Sequence, residues 1–393
     1  MVGWKTARLR DVCQIKPPKK EARQRLADTD LVSFVPMNNL GKQQKDLVLN
    51  AERELREVNG SYTYFADNDV LLAKITPCFE NGKLGIARNL KNGIGFGSSE
   101  FIVFRSNGDI DPEFLFYFLS QDSFRDAGAR LMTGAVGHKR VPKEFIENYP
   151  ILVPPIPEQG WIVAILDEAF AAIEIATKNA EKSLANAREL FKSHLKANFT
   201  PQNSGWSEKR FEDVCVLQRG FDLPKRLRDN GEYPLLSSSG PIDTHVEARV
   251  AGPGVVVGRS GSVGSVFFVE EDFWPLNTVL YVKNFRNNDP EFVYWFLMQF
   301  GLQDYAGGAG VPTLNRNHVH DVLVTVPSDL REQGKLVARI NGMRLQTDSF
   351  RMIFDQKLDL LEKLKQSILH KAFTGELTAD SKSVDRALSE AGV

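Results

Sequence analysis

The chain has 393 residues, of which 42% are hydrophobic and 25% charged, and its formal net charge is −1. That length leaves room for two or three domains with sizeable cores, and the composition is that of an ordinary soluble protein. Cys13, Cys78 and Cys215 lie far apart with no CxxC spacing, which argues for a reducing compartment and against a zinc ribbon or a disulfide framework. The start, MVGWKTARLRDV, has no apolar core of signal-peptide length. The longest apolar runs, such as VLL at 70–72 and VVV at 255–257, fall far short of the roughly 20 residues a membrane helix needs. The expectation is a soluble, cytoplasmic chain with no membrane partner.

In chain order, the first block is GWKTARLRDVC at 3–13, followed by the basic stretch KPPKKEARQR. FADNDVLLAKI reads as a strand bounded by turn residues. DPEFLFYFLSQ at 111–121 opens a short amphipathic helix, with Asp111 as N-cap and Pro112 at the first helical position. A Gly-rich turn, TGAVGHKR, precedes the proline block VPPIPEQ. About 40 residues without an internal proline then follow, at 158–199, which as a helix would span roughly 60 Å.

The same blocks then recur in the same order. GWSEKRFEDVC at 205–215 repeats the first at an offset of 202, and DPEFVYWFLMQ at 289–299 repeats the helix start at 178. REQGKLVARI at 331–340 answers PEQGWIVAIL at 157–166 at 174, and LKQSILHKAFTGEL at 364–377 answers LFKSHLKANFT at 190–200 at that same offset. The chain is a tandem duplication whose second copy has lost about two dozen residues between its first two blocks. A period near 180–200 is far too long for a solenoid repeat and describes two domains of one kind.

Both long helical segments carry strict 4-3 spacing. In the first the line runs through Ile162, Leu166, Ala169, Ile173, Ala176, Ala180, Ser183, Ala187, Leu190 and His194. In the second it runs through Leu336, Ile340, Met343, Thr347, Phe350, Phe354, Lys357, Leu361, Leu364 and Ile368. A period of 3.5 held over four heptads predicts coiled-coil pairing. Small Ala176 and Ala180 correspond to large Phe350 and Phe354, so an antiparallel pair would interdigitate; two separate amphipathic helices, each on its own domain, are the other option. The expected fold is α+β: two tandem globular domains separated by two long antiparallel coiled-coil helices, pseudo-twofold symmetric. The domains fall at 1–154 and 203–326, the helices at 155–202 and 327–380, and a flexible tail at 381–393. Such a chain imitates a twofold dimer and suits a ligand with repeated, oppositely oriented parts, as duplex DNA has.

The Trp-x-x-x-x-x-x-Asp-Val-Cys start, the proline turn into Glu-Gln, and the ending LKQSILHKAFTGEL resemble the specificity subunits of type I restriction-modification systems, from Gly3 to about Leu377. The resemblance implies two target-recognition domains, each reading one half of a split DNA sequence. The helices then set the gap and dock two methyltransferase (modification) subunits, with restriction subunits as further partners. It also implies a non-catalytic chain that holds no cofactor, S-adenosylmethionine belonging to the partner methyltransferase. One departure is that the second proline block reads VPSDLREQ.

Charge tests this reading. Residues 1–154 carry 22 basic against 19 acidic residues, a balance of +3, whereas 203–326 carry 11 against 15, a balance of −4. A negative domain binds phosphates only if its basic residues are concentrated locally, or if partners supply phosphate contacts. Clusters do recur: Lys19, Lys20 and Arg23 in the first copy, Lys225 and Arg226 in the second. Base readout calls for Arg or Lys on guanine and Asn or Gln on adenine. After VLLA come Lys74, Thr76, Asn81 and Lys83; after VVVG come Arg259, Ser260 and Ser262, with Lys74 and Arg259 equivalent. The turn before the proline block offers His138, Lys139 and Arg140 in one copy and Asn315, Arg316 and Asn317 in the other. Each of these could equally be an ordinary solvated turn residue.

Other signals carry little. GIGFGSS runs into a strand rather than a helix, and GRSGSVGS lacks the Gly-Lys-Ser/Thr ending of a phosphate loop. His318 and His320 have no further ligands at metal spacing. Cys13 and Cys215 read as equivalent core residues. The alternative to a DNA reader is a non-catalytic coiled-coil scaffold whose heads bind proteins.

Overall fold

A computed structural model describes residues 3–201, 205–308, 310 and 312–378. The tail expected at 381–393 lies outside the described residues. The chain divides into two compact units, one built from residues up to Asn179 and from Lys357 onward, the other from Ala180–Gln356.

In the first unit a four-stranded antiparallel sheet runs in the order Cys13–Ile15, Phe101–Ser106, Val70–Ala73, Leu84–Ile86. A second four-stranded sheet has the order Glu52–Glu54, Leu31–Val35, Ile94–Gly97, Thr63–Ala66. The other unit repeats the first sheet with Val216–Arg219, Val279–Asn284, Gly254–Gly258 and Val266–Val269. Its second sheet shrinks to three strands, Gly240–His245, Tyr233–Ser237 and Trp274–Pro275. The central strands Val70–Ala73 and Gly254–Gly258 are buried on both faces, which explains why VLLA and GVVVG show no alternation. The shortening falls between these sheets: the stretch from Val35 to Val70 in the first copy is twice the length of that from Ser237 to Val255 in the second.

The predicted caps form as expected. Asp111 accepts from the backbone N–H groups of Glu113 and Phe114 at the head of Pro112–Leu119. Asp289 accepts from Phe292 N–H at the head of Pro290–Gln299. The glutamine of each Glu-Gln pair holds this cap to the start of a long helix. Gln159, fully buried, accepts from Asp111 N–H at 2.7 Å and donates to the carbonyls of Pro154 and Asp109 at 2.8 and 2.9 Å. Gln333 accepts from Asp289 N–H at 3.0 Å and donates to Asn288 Oδ1 at 2.7 Å. The motif recurs because the buried polar groups of the cap region need one amide that offers both donors and an acceptor.

The long helices are Ile156–Asn198 and Leu330–Thr374, of 43 and 45 residues. Each unit takes the start of one and the end of the other. In the first unit Ile162 and Leu166 share a core with Leu369, Ala372 and Phe373, and the Phe373 ring lies 4.9 Å from that of Phe114. In the second, Leu336 and Ile340 share a core with Leu195 and Phe199, whose ring lies 5.9 Å from that of Phe292. The repeated Phe-Thr ending is therefore the plug that completes each head.

The strict 4-3 line holds only part of the way. Ile162, Leu166, Ala180, Leu336 and Ile340 are buried, and Ile173, Ala176, Phe354 and Leu361 are half-buried. Leu190, Phe350 and Leu364 are exposed at 59, 54 and 48%. Beyond Ala187 and Leu361 the covered line steps by four, to Phe191 and Leu195 in one helix and to Lys365 and Leu369 in the other. A straight helix of 3.6 residues per turn drifts off a 3.5 repeat, and here the head sets the new line. Phe191 packs against Trp295 at 6.0 Å, while Lys365 lies over the Phe170 ring and donates to Gln43 Oε1 at 2.7 Å. The step falls at equivalent positions of the two copies, Phe191 answering Lys365 as Leu195 answers Leu369.

Candidate nucleic-acid interface

The two turns singled out in each copy are brought together by the same backbone ladder. In the first unit Val141 N–H donates to Lys74 C=O and Thr76 N–H to Lys139 C=O, both at 2.9 Å. In the second, Leu314 N–H donates to Arg259 C=O at 2.8 Å, and Ser260 bridges to Thr313. Beside each ladder the end of the first strand of the sheet opens a groove. In the first unit it measures about 280 Å³ and is lined by Lys16, Lys19, Lys74, Lys143, Tyr62 and Tyr64. In the second it measures about 960 Å³ and is lined by Gln218, Arg219, Arg259, Asn315, Arg316 and His318. The floors match as well, with Ile15 and Ile102 in one and Leu280 in the other. Ile102 and Leu280 are equivalent at the offset of the two Asp-Pro-Glu-Phe blocks.

Neighbouring groups position these cations. Lys74 Nζ donates to Ser99 C=O at 3.0 Å; burial lowers its pKa, Glu100 acts in the opposite sense, and Lys16 and Arg140 add to the lowering. Burial, then Lys16 and Arg23, lower that of Lys19, whose Nζ donates to Gly60 C=O at 2.6 Å. Arg140 makes a two-point contact with Glu100 at 2.8 and 2.9 Å, so its guanidinium is engaged by the protein itself. In the second unit Arg259 Nη1 donates to Asn277 C=O at 3.3 Å, and Arg219 pairs with Asp222 at 3.7 Å. His320 Nε2 accepts from Leu217 N–H at 3.1 Å, fixing the strand end next to Gln218; burial depresses its pKa below 6.5. The negative balance of the second domain is thus compatible with a basic groove, because arginines gather there while Glu270, Glu271 and Glu291 line a different surface of the same unit.

Lys20 and Arg23 lie on the helix Lys20–Arg25 and outside the groove lining, and Lys225 and Arg226 on the 3-10 turn Lys225–Leu227, likewise outside it. Lys83 donates to Met37 C=O at 2.7 Å and Thr76 to Glu80 at 2.9 Å, so both serve the fold locally. Asn81, His138, Lys139, Ser262 and Asn317 are exposed. Tyr62, Tyr64, Lys143, Gln218, Arg219 and His318 were missed. The offset of 202, which pairs Lys16 with Gln218, would have drawn Gln218 and Arg219 in; the tyrosines join only through the tertiary fold. Cys13 and Cys215 are core residues, and burial, with Asp69 adding to it, pushes the Cys13 thiol up to about 12.

The chain is thus a duplicated α+β domain, each copy with a basic groove and each tied to two long helices. The family model described as the type I restriction modification DNA specificity domain matches residues 1–184 and 203–344. The chain belongs to that family. It is 34% identical over 221 residues to the type I restriction enzyme EcoEI specificity subunit and 33% identical over 221 residues to the EcoAI specificity subunit, both of Escherichia coli. Each alignment covers 56% of this chain and 36% of the relative, so the matched region spans about a third of those proteins. A chain from a solved structure on complex assembly and conformational transition of the type I R-M system superposes with a TM-score of 0.80 at 19% identity, over 95% of this chain and 98% of that one. The HsdS subunit from Thermoanaerobacter tengcongensis superposes at 0.60 and 18% identity, over 95% and 97%. These superpositions establish the shared fold.

Proposed function

We propose that this chain is the DNA sequence-specificity subunit of a type I restriction-modification complex, reading a bipartite double-stranded site with one half-site per domain. The recognition domains are 1–154 and 203–326, and the spacer helices lie within 155–202 and 327–380. The observation that carries the reading is the pair of grooves, which occupy the same place in both copies and gather side chains of the kinds that contact phosphates and base edges. The chain itself is non-catalytic. Two modification subunits dock on the long helices and bring S-adenosylmethionine, and restriction subunits join them. Exposed apolar residues along the second helix support docking there: Leu345, Met352 and Ile353 in one unit, Leu360 and Leu364 in the other. Among the described residues no helix is long and apolar enough to cross a membrane, in keeping with a cytoplasmic complex.

The test is methylation-resolved sequencing of DNA from cells that express this chain with its cognate modification subunit, against cells lacking only this chain. The expected result is N6-methyladenine in a split motif of fixed gap that depends on the chain. No chain-dependent motif, with assembly and partner activity confirmed, would favour a protein-binding scaffold instead.

A further inference from the structure

The two copies treat one sheet edge differently. In the first unit the last strand of the main sheet, Leu84–Ile86, is covered by the segment 40–47. Leu84 N–H donates to Gly41 C=O at 3.1 Å and Ile86 N–H to Lys45 C=O at 2.7 Å, with bridges at Lys42–Lys83 and Asp46–Ile86. Lys45 then reaches Glu113 on the short helix and Asp167 on the long one, and lies 4.7 Å from the Tyr117 ring. This segment lies within the stretch that is only half as long in the second copy.

In the second unit the equivalent strand is Val266–Val269. Val257 pairs with Val266 as Leu72 pairs with Leu84, so Val266 and Phe268 stand where Leu84 and Ile86 stand. Gly258 N–H donates to Ser265 C=O at 2.7 Å, which by alternation turns the N–H groups of Val266 and Phe268 away from their sheet partner. Among the described residues no hydrogen bond reaches those two groups from the outer side. The edge borders a groove of about 560 Å³ whose lining includes Glu270, Glu271 and Glu291, with Arg344 as its basic member. Glu291 is the counterpart of Glu113, the carboxylate whose Oε2 meets Lys45 in the first unit; its own Oε1 accepts from Asn341 Nδ2 at 2.8 Å.

The apolar layer of the covering segment is already replaced. A Cβ on Gly85 would come within 2.9 Å of Leu47 and 3.2 Å of Leu40, so the first copy needs glycine beneath its two leucines. The second copy has Phe267 at that place, and its ring lies against Gly240. What lacks an outer partner is the pair of backbone N–H groups of Val266, itself 7% exposed, and half-buried Phe268, beside an acidic wall. Such edges are aggregation-prone unless covered or blunted, and an extended segment can pair with them.

We infer that the edge Val266–Phe268 is a docking site for an extended, lysine-bearing segment of another protein chain, which adds as a strand and sets its ammonium against Glu291. The acidic lining disfavours nucleic acid here and suits a basic peptide. This inference does not depend on the DNA reading.

The probe is the acetylated, amidated peptide Gly41–Asp46, added at millimolar concentration to the full chain, whose first unit already carries its own copy of that segment. Hydrogen exchange at Val266 and Phe268 should be fast in the dilute chain and slow with peptide, while Leu84 and Ile86 are unaffected. Lys45→Ala in the peptide, or Glu291→Gln in the chain, should weaken binding by about tenfold through loss of one charge-assisted contact. Several results would overturn the inference. One is slow exchange in the dilute chain alone, which would mean the edge is closed; another is no slowing with peptide, as a merely blunted edge gives. Equal binding by the Lys45→Ala peptide, or protection that rises with chain concentration without peptide and so marks a second copy as occupant, would also count against it.

Discussion

The junction between head and long helix is built twice, with different chemistry. In the first unit Lys45 lies between Glu113 and Asp167, and Tyr117 donates its hydroxyl to Asp167. In the second, Asn341 stands where Asp167 stands. Its Nδ2 donates to Glu291 at 2.8 Å and its Oδ1 accepts from Trp295 Nε1 at 3.2 Å. The lysine arrives on a segment the second copy has lost, and without it an aspartate beside Glu291 would leave two half-buried carboxylates facing each other. One amide on the helix takes over the aspartate's contact to the aromatic residue and bonds one oxygen, Oε1, of Glu291. Placement of the head is preserved while the charges that hold it are not.

The largest effects should come from what the copies share. Gln159→Leu leaves Asp111 N–H and the Pro154 and Asp109 carbonyls without their partner, Gln333→Leu leaves Asp289 N–H and Asn288 Oδ1 without theirs, and each should cost about 2 kcal/mol, following the penalty for an unsatisfied partner. Hydrogen exchange in Pro112–Leu119 and in Pro290–Gln299 reads the two heads separately, which a single melting curve of a two-unit chain does not. Comparable losses are expected; a loss in one head alone would break the equivalence.

The next effect separates the copies. Lys45→Met should destabilise the first head by about 1 kcal/mol, less at high salt, since the three groups are only partly buried. Asp167→Asn in the same chain should restore most of that loss by recreating the second head's arrangement. Failure of the rescue, read by exchange in Pro112–Leu119, would show that the amide and ionic junctions are not alternatives.

The smallest effect concerns pH. His320 has a folded pKa below its unfolded value near 6.5, so its contribution is present above that pH and is lost as pH falls toward the folded value. The corresponding place in the first head is Glu147, counted back from the strand pairs Ser207–Val326 and Lys5–Val153. Acidification below pH 6.5 should therefore speed exchange in Val216–Arg219 by an amount that His320→Gln removes, and should leave Cys13–Ile15 without that component.

Much of this was legible in the sequence because it is local or repeated. Asp111 and Asp289 cap helices by contacts within three residues, and four ordered blocks sufficed to reveal the duplication. Periodicity gave the long helices, but a fixed 3.5 spacing carried Leu190 and Leu364 onto the covered line, where Phe191 and Lys365 lie instead; only the rings of Trp295 and Phe170 decide that step. Lys74 and Arg259 could be found because each follows a buried strand directly. Tyr62, Tyr64 and Lys143 come from segments far apart in the chain, and only the fold brings them to one groove. The segment LGKQQKDL shows no period at all, and its role rests on backbone pairing that side-chain patterns do not encode.

The central claim is that equivalent grooves read different halves of one site. The most direct test is the methylation motif of cells carrying Arg259→Ala or Lys74→Ala, each with the cognate modification subunit. A lost side chain on a base edge costs about 1–3 kcal/mol of discrimination. Arg259→Ala should relax one half-site, Lys74→Ala the other, with assembly and gap length unchanged. If both substitutions alter the same half, or neither alters any, the account is contradicted.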